Sequence, residues 1–87
     1  MEEVKVGRVY RHFKGNYYYI QEIAIDSETR ERMVVYKSLY NGGDRKGIST
    51  YIRPEKMFLE EIPERPDNIT GQKYRFELVE EIEKNYL

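Results

Sequence analysis

The chain holds one histidine, His12, and no cysteine, so the side-chain chemistry open to it is narrow. Disulfides, thiolate zinc sites and a cysteine nucleophile are excluded. A transition-metal site would have to join His12 to carboxylates such as Asp26 or Glu28, a poor donor set for zinc. We expect neither a metal nor another cofactor. A triad of Ser27, His12 and Glu28 can be written down, but adjacent Ser27 and Glu28 would rarely both reach one imidazole. The strained nucleophile turn of the G-x-S-x-G kind is missing as well. Gly42, Gly43 and Gly47 with Arg45 and Lys46 suggest a phosphate loop, but Lys46 precedes Gly47 and a strand, not a helix, is predicted to follow. That stretch reads as a hairpin connection.

Two groups survive. Tyr36, Tyr40 and Tyr51 fall on neighbouring predicted strands, where amphipathic rings can be presented with Arg53, His12 and Lys14. Rings beside guanidinium groups stack bases or hold an anionic ligand or a peptide. The structural alternative makes these tyrosines core, with hydroxyls at the rim and Arg53 paired to Glu28. The second group is the acidic strip Glu55, Glu60, Glu61 and Glu64, read as solvated surface. Tyr36 and Tyr40, four apart on one strand, point the same way about 13 Å apart. Arg53 ends the next strand, so we expect a ligand among His12, Lys14, Ser27, Glu28, Tyr36, Tyr40 and Arg53.

The elements that must position these residues are short strands. The chain's 87 residues support one domain, whose folding buries roughly 60–65% of the unfolded surface. Charged residues are 36% and mean hydropathy is −0.86, but nine Tyr and three Phe argue against disorder. Residues 1–53 carry 10 basic and 7 acidic side chains and residues 54–87 carry 5 and 9, so a net charge of −1 conceals a basic first part. With little long-range attraction for phosphates, sequence-independent DNA binding is disfavoured. The charged segment MEEVKVG and the lack of a long apolar run suggest no signal peptide or membrane span, and a cytoplasmic location is expected.

Val6 to Phe13 reads as a first strand, closed by the turn Lys14-Gly15-Asn16. Tyr17 to Asp26 is a second strand with apolar groups on both faces, as a strongly bent strand requires. Ser27-Glu28-Thr29 forms a loop whose hydroxyls can tie down local backbone. Arg32 to Tyr40 is a third strand, and Asn41-Gly42-Gly43-Asp44 a strong turn signal before a fourth from Ile48 to Arg53. Pro54 suits the first position of a single helical turn that directs Met57 and Phe58 inward. A loop spans Glu61 to Thr70, and Tyr74 to Leu78 alternates like a fifth strand. Val79, Ile82 and Tyr86 then recur at helical spacing. The expectation is one mostly β domain: a small SH3-like barrel of about five antiparallel strands over residues 6–78, with one helical turn and a short C-terminal helix over 79–87. An antiparallel sheet backed by the terminal helix is the alternative.

The residues Tyr10-Arg11-His12-Phe13-Lys14-Gly15, Tyr18, Ala24, Ser27-Glu28-Thr29, Val34-Val35-Tyr36, Leu39-Tyr40, Arg53-Pro54 and Met57-Phe58 carry a resemblance. In order and spacing from Gly7 to Glu60 they resemble the bacterial family catalogued as domain of unknown function 1653. Tyr74-Arg75-Phe76-Glu77 looks like that family's closing strand, so about four-fifths of the chain is covered. The resemblance implies a small SH3-like barrel and brings no activity. The chain departs from the family pattern at Asp26, where a histidine often precedes SET, and at Tyr51, where tryptophan is usual. Its loop from Asn41 to Ser49 is longer than the pattern, and the tail after Glu77 looks like an extension.

Small barrels commonly recognise a peptide, a nucleic acid or a small molecule across one loop-lined face. The expectation is therefore a non-enzymatic binding module, a monomer or weak homodimer, with Arg11, Lys14, Arg53 and the tyrosines in contact with the ligand. The alternative is a small enzyme or enzyme accessory acting on a nucleotide or sugar-like metabolite, with His12 as acid–base group and Glu28 orienting it. A histidine pKa far from its ordinary value, in a cleft, would favour the enzyme.

Overall fold

Five strands and one helical turn make up the structure, a computed structural model that describes residues 3–39 and 49–80. Strands β1 (Val9–His12), β2 (Tyr17–Ile25), β3 (Arg32–Ser38), β4 (Thr50–Pro54) and β5 (Phe76–Leu78) form one antiparallel sheet in the order β4-β3-β2-β1-β5. The first four follow one another as a meander. The last crosses over and pairs with the free edge of β1. Helix α1 (Glu55–Phe58) sits between β4 and β5.

The sheet is rolled. Neighbouring strands lie about 4.8 Å apart, so a flat sheet would hold its two edge strands about 19 Å from each other. Yet the Arg53 guanidinium carbon on β4 is 5.7 Å from the centre of the Phe76 ring on β5. Rolling brings the two edges together through side chains, while no backbone pairing joins β4 to β5 among the described residues. The result is an open sheet of five antiparallel strands with one short helix, not a closed barrel.

A bulge in β2 produces part of this curvature. The register against β3 slips between Ile20 and Glu22, leaving Gln21 extra. Such a bulge bends its strand and switches which parity faces inward. Tyr18 and Ile20 face the core before it, Ile23 after it. The apolar groups on both faces of the predicted strand are thus one inner face, interrupted once. The core on that face joins Val4, Tyr10, Ile20, Val34, Tyr36, Phe58 and Phe76. Its centre is a stacked pair, Phe58 against Phe76 at 3.9 Å, with the Tyr36 ring edge-on to both.

Several boundaries differ from expectation. The first strand begins at Val9, not Val6, because Gly7 turns the chain at φ +81 while its N–H still bonds to the Ile20 carbonyl. Pro54 pairs with Met33 as the last residue of β4 and stands just before the helix instead of opening it. Phe58 is fully buried, but Met57 is 42% exposed, against the expectation that both turn inward. Consecutive residues on a helix point about 100° apart, so a single turn commits only one of them to the core. The fifth strand starts at Phe76, and Tyr74 makes an isolated bridge to Glu61 instead. Tyr40, the Asn41–Asp44 turn with Gly47, and all of the predicted terminal helix beyond Glu80 lie outside the described residues.

Candidate functional site

Residues directly opposite on antiparallel strands share a face. His12 pairs with Phe76, Tyr36 with Tyr51, and Val34 with Arg53. One concave face therefore collects His12, Tyr18, Tyr36, Tyr51, Arg53 and Phe76 from all five strands. The Tyr18 ring stands edge-on to Tyr36 at 5.4 Å, to Phe76 at 5.6 Å and to Tyr51 at 6.2 Å. Tyr36 and Phe76 are buried and form the floor, while His12, Tyr18 and Arg53 are half-buried and Tyr51 is exposed.

Arg53 crosses this floor. Its Nε donates to the Tyr36 hydroxyl at 3.3 Å, and its guanidinium lies over the Phe76 ring. The Arg53–Glu28 pair foreseen by the structural alternative does not form, and no carboxylate among the described residues pairs with Arg53. By contrast Arg32, Arg65 and Arg75 each engage an acid: Glu55, Asp67 and Glu60.

His12 ends β1 where the chain turns through Gly15, at φ +107. The turn closes with the His12 N–H on the Asn16 carbonyl and the Gly15 N–H on the His12 carbonyl. Inside it the Lys14 N–H donates to His12 Nδ1 at 3.1 Å. A neutral ring accepting at Nδ1 carries its proton on Nε2. The ring lies 4.3 Å from Phe13 and 4.8 Å from Phe76, centre to centre. Burial among them holds the imidazole pKa down at about 4, helped by the positive charges of Arg53, Arg75 and Lys14, with Asp67 opposing. The ring is accordingly neutral at pH 7.

Ser27 and Glu28 are elsewhere. They occupy the β2–β3 turn, beyond Ile25, whereas His12 lies beside the start of β2, where Arg11 pairs with Tyr17. The nine residues of β2 separate these ends by roughly 25 Å of extended strand, so no triad assembles and Glu28 does not orient His12. Their turn is built by a neighbour. Asp26 Oδ1 accepts from the Glu28 and Thr29 N–H groups at 2.9 and 3.1 Å, which holds its carboxyl below the usual carboxylate range. Thr29 Oγ1 accepts from the Glu31 N–H, as expected of a loop hydroxyl. Lys14 sits at the edge of the cluster, its ammonium 3.7 Å from Asp67. Arg11 bonds to the Gly15 carbonyl and covers the Tyr17 ring.

Tyr18 and Phe76 belong to the cluster although sequence reasoning left them out of the site. Tyr18 shares the parity of Ile20 ahead of the bulge, a readable signal. Phe76 enters through a pairing with β1 that joins residues 64 positions apart, and no local pattern announces it.

Among the described residues no three His, Asp or Glu side chains group so as to hold a metal ion, and no helix is long and apolar enough to cross a membrane. A cavity of about 270 Å³ opens beside Tyr10, Leu59 and Leu78 and shares only Phe76 with the cluster. Of the expected site, then, His12, Tyr36 and Arg53 come together with Lys14 alongside, Ser27 and Glu28 stand apart, and Tyr40 is outside the described residues.

No curated protein and no solved structure matches the chain. A family model described as protein of unknown function (DUF1653) matches residues 8–78, which include every strand and every member of the aromatic cluster. By that match the chain belongs to the DUF1653 family.

Proposed function

We propose that the chain is a binding module that holds its ligand at the open end of the rolled sheet. Tyr36 and Phe76 form the floor of the site, and His12, Tyr18, Tyr51 and Arg53 its rim. The observation that carries this reading is Arg53, a half-buried guanidinium on aromatic rings with no acid of its own among the described residues. Such a group is costly to keep without a counter-charge and ready to accept one. Strand order and the helical turn before β5 favour an incomplete SH3-like barrel, with the rim at its mouth. A cytoplasmic, bacterial setting and a monomeric or weakly dimeric state belong to the same reading.

The enzyme alternative draws on the displaced pKa of His12, but its direction is unfavourable. A ring with Nδ1 already accepting and a pKa of about 4 is a weak base at neutral pH, and among the described residues no carboxylate bonds to it. The test is an NMR screen of labelled protein against pooled nucleotides, sugars, oligonucleotides and peptides. Shifts confined to His12, Tyr18, Tyr51 and Arg53, with Ser27 and Glu28 unmoved, are expected. Shifts centred on the Ser27–Glu28 turn, or none with any pool, would refute the proposal.

A further inference from the structure

We infer that the ligand of this rim is an oxyanion carried on a ring, a carboxylate or phosphate attached to an aromatic group. The inference rests on the binding reading above and gives it a chemical class. The rim offers charge and donors to a ligand, and the acid that acts on it among the described residues, Asp67, is itself engaged by Arg65 and Lys14. Arg53 has spent only Nε, on Tyr36, and its two terminal nitrogens have no partner among the described residues. His12 has spent Nδ1 on the Lys14 N–H, so Nε2–H remains to donate. Both groups contact Phe76, and the Arg53 charge acts on the His12 imidazole, so the two share one floor. A guanidinium fork beside an N–H fits the planar or tetrahedral oxygens of a carboxylate or phosphate. Arg75 and Lys14 add positive potential at His12, though each is engaged by an acid, Glu60 and Asp67.

The ring requirement comes from the other wall. Tyr51 is 41% exposed and edge-on to Tyr18, so an apolar face stands open next to the charge. A bare inorganic anion would leave that face wet, while an attached ring covers it in offset or edge-on contact.

The experiment titrates the intact chain with benzoate, phenyl phosphate, benzyl alcohol, acetate and inorganic phosphate, following the Arg53 Nε–H, His12 side-chain and Tyr51 resonances. Benzoate or phenyl phosphate should bind about tenfold more tightly than benzyl alcohol, since a charge-assisted fork is lost in the alcohol. Each should also exceed the ringless anion bearing its own oxyanion. The order of benzoate and phenyl phosphate then distinguishes a carboxylate source from a phosphate one. Arg53→Lys should weaken the preferred anion about tenfold, and His12→Gln, which retains an N–H donor, should weaken it less than His12→Phe. Benzyl alcohol binding as tightly as the anions would overturn the oxyanion while leaving the binding reading intact. Acetate and phosphate matching their aromatic counterparts would overturn the ring. No response at this rim to any of the five would overturn the inference whole, and the pooled screen judges the binding reading separately.

Discussion

His12 is held neutral by its surroundings, and that has a pH signature. The unfolded chain takes up the proton near the ordinary value of 6.5, the folded chain only near 4. Between those values the unfolded state binds the extra proton. Stability due to the neutral ring is therefore fully present above about 6.5 and is lost as pH falls toward 4. The ring is half-exposed, so solvent screening reduces the effect to roughly 1–2 kcal/mol. Carboxylates with lowered pKa, such as Glu55 beside Arg32, contribute their own losses from the ordinary carboxylate pKa of 4.5 downward, outside the upper part of this window. Urea unfolding followed from neutral to mildly acid pH should show the decline in wild type and a flatter profile in His12→Gln. Equal slopes would contradict the account of this residue. From sequence His12 was recognisable as the one candidate for acid–base chemistry, because no other side chain titrates near neutrality. How far its pKa would be lowered was not, since beside its neighbours Phe13 and Lys14 the groups around it, Arg53, Arg75 and Phe76, arrive from β4, from the residue before β5 and from β5 itself.

At the scale of elements, the two hairpin turns among the described residues have different jobs. The Lys14–Asn16 turn orients the histidine, and the Asp26–Thr29 turn sets the far end of the sheet without touching the rim. Asp26→Ala removes the acceptor for two turn N–H groups and should lower the Tm by a few degrees, with Asp26→Asn recovering most of it and ligand binding unchanged in both. A loss of binding in folded Asp26→Ala would tie this turn to the site after all. Gly15 was legible as the positive-φ residue of its turn and Thr29 as a loop hydroxyl, whereas Asp26, which accepts both N–H groups of the second turn, was not singled out for that role. Which way β2 faces was less legible, because the bulge at Gln21 reverses the alternation within one strand. The separation of Ser27–Glu28 from His12 follows from the length of β2, and only the pairing register converts that length into a distance.

Over the whole molecule, one aromatic interior serves as both core and site floor. Phe58 and Phe76 stack at its centre, and Tyr36 extends the same layer to Arg53. Phe58→Ala should cost about 3–5 kcal/mol, a large share of the roughly 5–15 kcal/mol typical of a domain, so heat or urea melts should shift steeply. A shift of less than about 1 kcal/mol would mean the stacked pair is not the centre of the core. Arg53 differs in kind. Among the described residues it contributes to the fold one side-chain hydrogen bond and one ring contact, on the order of 1 kcal/mol together, but would bring to a ligand the only rim guanidinium described. Arg53→Gln therefore distinguishes a binding rim from mere packing, through its Tm and its affinity for the tightest ligand from the pooled screen, measured on one preparation. The expected result is a folded protein with a Tm only slightly lowered and binding weakened more than for any other rim substitution. A large fall in Tm with affinity unchanged in the folded fraction would contradict it and make Arg53 a structural residue.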